Sequence, residues 1–220
     1  MMSTHVAYGF VSGYLIALLF APSMYLSYPM VMPATVAFVI VGMFGGALPD
    51  VDQLESMGFV HKKTCHYILG YLAAAVILIG AAPLVSEYQV WMLTFACISL
   101  AAWLHSIMDL FDGWRDDDPT QGIYEHLSRR WLPSFRLVMF AGLREWIILA
   151  LAFVFFIPIS AKISQLFPLG WQVATIAGAV VWIVSAVFDA FYRAPRRQPR
   201  ERLQLEKLKA TKTRESTQAI

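Results

Sequence analysis

"QVWMLTFACISLAAWLHSIMDLF", residues 89–111, decides the fold. The run is long enough to cross a membrane, which takes about 20 residues. Up to Leu104 it carries no charge, yet its last two turns hold His105 and Asp109. Backbone groups in lipid must pair within their own segment, so the run is expected to be a helix. On a helix His105 and Asp109 stand one turn apart on one face, and Asp112 continues that face at i+7. A histidine and a carboxylate so placed can grip one metal ion or bridge two. Ionisable groups this close to lipid are costly and point to function.

The rest of the chain repeats the pattern. Of 220 residues, 58% are hydrophobic and only 15% charged, and mean hydropathy is +0.58. A water-soluble fold could not cover its surface with so few charges. Six apolar runs are visible, at 6–21, 30–48, 66–85, 89–111, 143–159 and 169–192. The first and fifth are the shortest. Pro22 and Pro29, the loop after 48, Ser86 and Glu87, the stretch 112–142, and Pro158 to Pro168 are expected to separate them. The expected fold is therefore all-α: a polytopic membrane protein of about six transmembrane helices over 1–192. A basic, partly disordered tail over 193–220 follows, suited to anionic lipid headgroups. Gly42, Gly45 and Gly46 suit close helix approach. No cleavable signal peptide is visible. Two cysteines, Cys65 and Cys97, make no disulfide framework.

Charge sets the expected orientation. With the N-terminus inside, sixteen of the seventeen Lys and Arg residues fall on the inner side, leaving only Lys162 outside. This predicts a multi-pass protein of the inner or plasma membrane with both termini cytoplasmic. In the long inner loop, Ile123, Leu127 and Trp131 recur at i, i+4 and i+8 beside Arg129 and Arg130, which predicts an interfacial helix. Glu125 and His126 read as surface positions on it. Asp189 and Arg193 read as an i,i+4 pair.

That orientation brings all five histidines to one membrane face. His5 opens the first run, and Asp50 and Asp52 of "PDVD" follow the second. His61 and His66 flank the start of the third, with Thr64 as a possible cap, and His105 and Asp109 close the fourth. Mixed imidazole and carboxylate suits zinc, manganese or iron. More than four potential ligands suggests two ions. An ion at this interface would lower the pKa of water towards about 7, the chemistry of hydrolysis and of phosphoesters in particular. Asp52 and Asp112 are candidates for the general base. The expected partners are a phosphoester or lipid substrate and membrane lipids, and no nucleic acid. Arg129, Arg130 and Arg136 could hold a phosphate. No nucleotide loop, nucleophile elbow or Cys-x-x-Cys occurs. The competing expectations are a divalent-ion transporter and a metal-stabilised scaffold without catalysis.

An N-terminal histidine, the turn "GALPDVD" (46–52), "HKKTCH" (61–66) and "HSIMD" (105–109) together resemble the YdjM-like family. Its members are described as LexA-binding, inner-membrane-associated, metal-dependent hydrolases, grouped distantly with zinc-dependent phospholipases C and single-strand nucleases. The resemblance covers His5 to about Asp112. It implies His5, Asp50 or Asp52, His61, His66, His105 and Asp109 as metal ligands, and phosphoester hydrolysis as the activity. The family's usual "HRGxTHS" is altered here: lysine replaces the arginine, the glycine is lost, Cys65 stands for the threonine and Tyr67 for the serine. Both histidines are kept. No motif for LexA recognition is visible.

Overall fold

The computed structural model describes residues 2–27, 31–53, 62–112, 121–133, 135, 143–166 and 168–193, with single positions 195, 203, 206 and 210. The chain is mostly helical. Its α-helices are α1 (Met2–Ser27), α2 (Val31–Ala47), α3 (Ile68–Ala81), α4 (Gln89–Asp112), α5 (Leu143–Leu166) and α6 (Pro168–Phe188). A 3-10 segment, Leu48–Gln53, extends α2, and a π-helical turn, Asp189–Arg193, extends α6.

Five segments are long and apolar enough to cross a membrane: Ser3–Phe20, Ala34–Val51, Ser86–Phe111, Trp146–Gln165 and Trp171–Phe191. The expected shortfalls in the first and fifth runs are corrected. Helix α1 has 26 residues and continues past Pro22, and α5 has 24 and continues through Pro158. An apolar helix tolerates proline where neighbouring groups re-satisfy the freed carbonyl. The short helix is α3. Its 14 residues rise about 21 Å, and the 3-10 turn Ala82–Leu84 adds about 6 Å. Nor does Thr64 cap α3. Tyr67 occupies the N-cap without a side-chain hydrogen bond, and the Tyr71 N–H closes onto its carbonyl.

Helix α1 is the centre of the bundle, touching α2, α4, α5 and α6. Its apolar window is 67% buried, against 24% and 22% for α5 and α6. The outer helices instead expose Val154, Ile157, Ile176, Val180 and Val184. Inside, Tyr14, Phe38, Leu93 and Ile163 are fully buried in one cluster. The Tyr14 hydroxyl shares a 2.7 Å hydrogen bond with Thr175 and donates to the Trp171 carbonyl, tying α1 to α6.

Glycines form the α1–α2 seam. Gly9 and Gly13 on α1 face Gly42 and Gly46 on α2, each pair four residues apart, in the small-xxx-small pattern. A Cβ on Gly9 would overlap the Gly42 carbonyl, one on Gly13 the Phe38 carbonyl, and one on Gly46 the His5 carbonyl. Gly45 turns towards α4 instead, where a Cβ would lie 2.7 Å from the Ile98 Cα.

The segment between α4 and α5 holds no helix at 123–131, so the fold is not purely α. It forms a hairpin of β1 (Gln121–Glu125) and β2 (Arg130–Pro133), with Tyr124 opposite Trp131 and Glu125 opposite Arg130. Leu127 lies in the turn, and Ile123 and Trp131 lie on different strands and are not opposite one another, so their spacing marks no single face. Ile123, Tyr124 and Trp131 favour strand, and Arg129 takes a left-handed φ of 53° at the turn. Glu125 is correspondingly not a surface residue. It is buried, and its carboxylate accepts the Ser128 N–H at 2.6 Å. Burial opposes its charge, but hydrogen bonds from the Ser128 and Leu127 backbone hold its carboxyl below the usual range. His126 is half-buried and donates from Nε2 to the Lys63 carbonyl at 2.6 Å.

Candidate metal centre

One end of the bundle collects the polar side chains. His5 comes from the first turns of α1, Asp50 from the extension of α2, His66 from the loop before α3, and His105 and Asp109 from the end of α4. An antiparallel helix bundle brings these ends together because each helix starts or stops at the same layer. Asp109 is the hub. Its Oδ1 lies 3.4 Å from His5 Nε2, and its Oδ2 lies 3.1 Å from His66 Nε2 and 3.7 Å from His105 Nε2. His105 Nε2 is also 3.9 Å from Asp50 Oδ1. The His5 and His105 rings stack at 3.7 Å, and those of His66 and His105 meet edge-on at 5.3 Å.

These separations are those of ligands sharing an ion. Two donors at about 2.0–2.2 Å from one tetrahedral ion lie about 3.3–3.6 Å apart. Two sets of three donors come near this closeness, His5–Asp50–His105 and His66–His105–Asp109, the atoms of each lying within 4.8 Å of one another. His105 belongs to both. Its Nδ1 lies 2.6 Å from the Gly46 carbonyl, which can only accept, so Nδ1 carries the proton. The Nε2 edge is thereby turned towards Asp50, Asp109 and His66. That buried nitrogen has no hydrogen-bond partner among the described residues. A buried polar nitrogen without a hydrogen bond is costly, and a cation held with the neighbouring aspartates would satisfy it. An imidazole oriented by a backbone carbonyl is also the usual outer-shell arrangement of a metal-binding histidine.

Of the residues expected at the site, His5, Asp50, His66, His105 and Asp109 converge. His61 lies outside the described residues, as do the side chains of Asp52 and Asp112. Lys62 was anticipated only as a topological charge, yet it is buried at 2% exposure with its Nζ 3.9 Å from Asp109 Oδ2. Its left-handed φ of 59° turns the chain inward, and its carbonyl accepts the Tyr124 N–H of β1. The hairpin thus props the loop carrying Lys62 and His66. The signal available in the sequence was its place between two histidines.

Asp189 takes a role beyond the expected pairing with Arg193, whose side chain lies outside the described residues. It is fully buried, and its Oδ2 accepts the Ser3 N–H at 2.7 Å. The end of α6 therefore caps the start of α1, two residues before His5. The first N–H groups of a helix have no partner of their own, and an anionic cap also suits the helix dipole. Asp189→Ala leaves that buried N–H unsatisfied, an expected cost of about 1–3 kcal/mol. It should also loosen His5 and weaken metal binding about ten-fold, the lower range for losing a supporting group. Thermal melting and metal titration of the purified variant check both effects. Unchanged values would make the cap dispensable.

Comparison with protein-family models, with curated proteins and with solved structures finds no match for this chain.

Proposed function

We propose that this protein is a membrane-embedded, divalent-metal-dependent hydrolase of phosphoesters, related to the YdjM-like family. The observation that carries the reading is the buried Nε2 of His105, which makes no hydrogen bond and is aimed between two aspartates by the Gly46 carbonyl. His5, His66, His105 and Asp109 would hold the metal, and Asp50 would either complete that set or stay off the metal as the base. Zinc fits this donor set best, with manganese or iron as alternatives. A single imidazole nitrogen serves one ion, so a second ion would require a bridging carboxylate, for which Asp109 is best placed. A divalent ion here supplies Lewis acidity and a water that ionises near neutral pH.

The chain's own groups divide the remaining work. Lys62 supplies a buried cation beside Asp109. Two carboxylates, one ammonium and one divalent ion leave a net single positive charge, which favours an anionic substrate. Lys62 is placed to hold a phosphoryl oxygen as charge develops there. The base that takes the proton of water is an aspartate left free of the metal. Asp50, the more exposed of the two described carboxylates, is one candidate, and Asp52 and Asp112 are the others. The carboxylates lie at helix ends, whereas transport sites usually lie near the membrane midplane, which disfavours a transporter.

Elemental analysis of purified protein followed by a phosphoester panel tests the reading. We expect close to one or two equivalents of metal and hydrolysis that stops on chelation. Metal-free protein of full thermal stability would sink it. The five long apolar helices, with the shorter apolar α3 and its 3-10 turn as a sixth span, support membrane insertion, and the basic residues support inward-facing termini. Reporters fused after Glu87 and after Leu166 should both read as external. A cytoplasmic signal at both would reverse the orientation.

A further inference from the structure

Beside the centre, a groove of about 410 Å³ runs between the start of α3 and the hairpin. Its volume falls in the range of small-molecule sites, about 300–1,000 Å³. Tyr67, Leu69, Gly70 and Ala73 form one wall and Leu127 the other. Glu125 and His126 close one end, where the His126 ring stacks on Tyr67 at 3.9 Å. Tyr67 directly follows His66 of the metal cluster. Beyond the groove, α3 continues its apolar exposure with Val76 and Ile77, which are 62% and 66% exposed. A mostly apolar groove, lined by the residue next to His66 and by a helix that goes on to expose further apolar side chains, suits an acyl chain.

The hairpin tip adds charge. Leu127 is 78% exposed, and Arg129 and Arg130 just after it are exposed too. Lys63, nearby, places its Nζ 4.6 Å over the Tyr124 ring. An exposed leucine beside exposed cations is the pairing that docks on anionic lipid, the apolar group meeting acyl chain and the cations meeting headgroup. We propose that this groove seats one acyl chain of an anionic phospholipid, with Arg129 and Arg130 at its headgroup. The phosphoester presented to the metal centre is then that of a membrane phospholipid. This last step rests on the hydrolase reading, while the lipid site itself does not.

Native mass spectrometry of the full chain in detergent tests the site, with phosphatidylglycerol and phosphatidylcholine of equal chain length as probes. Wild type should retain phosphatidylglycerol preferentially, and should do so equally after chelator treatment. Gly70 is exposed, and a Cβ there would meet only the Tyr67 Cβ, at 3.3 Å. Gly70→Leu should therefore fold and fill the groove, lowering retention about ten-fold, and Ala73→Leu provides a second plug. Arg129→Gln with Arg130→Gln should erase the headgroup preference, at about five-fold per cation. Equal retention of both lipids by wild type, or plugged variants that retain phosphatidylglycerol as wild type does, would overturn the site. So would a dimer abolished by Gly70→Leu, which would make the groove an interface between copies. Retention that survives chelation, in a protein without hydrolytic turnover, would uphold the lipid site while rejecting the hydrolase reading.

Discussion

Asp109→Asn is expected to lose bound metal and all measurable phosphoester turnover while remaining a helical membrane protein. The substitution keeps the size of the side chain and removes the charge. The three described histidines of the centre are arranged around this carboxylate: His5 on one oxygen, His66 and His105 on the other. Loss of a mere supporting group typically costs about 10–100-fold in metal affinity, so loss of the hub should cost more than about 100-fold. A second effect is specific to this chain. Lys62 is buried beside Asp109, and removing one partner of a buried ion pair costs about 3–5 kcal/mol. Asp109→Asn should therefore also lower the melting temperature. Asp109→Asn combined with Lys62→Met should recover much of that stability without recovering metal. This contrast separates the electrostatic role of the carboxylate from its ligand role. A transporter would instead lose ion flux in proteoliposomes and show no hydrolysis in either form. A scaffold would lose stability with its metal and have no turnover to lose. If Asp109→Asn keeps full metal content and full hydrolysis, His105 and Asp109 are only a helix-end pair.

The layout of the centre was legible because two signals agreed. Hydropathy placed the helix ends, and charge put them on one face. Histidines and aspartates at those ends then had to meet, and the i,i+4 spacing of His105 and Asp109 fixed a shared face in advance. What the sequence concealed is contact between distant segments. Asp189 and Ser3 are 186 residues apart, and nothing local distinguishes a helix cap from an i,i+4 partner of Arg193. Lys62 was hidden for a similar reason, since a lysine in a loop ordinarily reports topology and only a left-handed turn brings this one inside. The hairpin is hidden because three apolar residues spaced by four mimic a helical stripe, although Leu127 lies in the turn that separates the strands of Ile123 and Trp131. The length of α3 was overestimated because hydropathy does not register where a helix begins. His66 and Tyr67 continue the apolar run but lie before its first turn.

Gly46→Ala should damage the fold and the centre together. A Cβ at this position would overlap the His5 carbonyl on α1. The residue's own carbonyl holds His105 Nδ1 at 2.6 Å. The added methyl can be accommodated only if α1 withdraws or if the α2 backbone shifts. The first displaces His5, and the second releases His105 from the orientation that aims Nε2 at the aspartates. Overpacking of this kind costs about 1–3 kcal/mol. Disturbing the oriented imidazole should weaken metal binding about 10–100-fold. Two other glycines make the test discriminating. Gly9→Ala strains the same seam against the Gly42 carbonyl but touches no oriented ligand, so it should destabilise comparably with a smaller loss of metal. A Cβ on Gly80 of α3 would meet nothing within 4 Å. Gly80→Ala should leave metal binding unchanged and add up to about 0.5–1 kcal/mol of stability, as alanine replaces glycine in a helix. Melting curves and metal titrations on the three variants read the pattern directly. If Gly46→Ala melts and binds metal as wild type does, the seam has slack that the helix contacts do not show, and Gly46 does not hold the centre together.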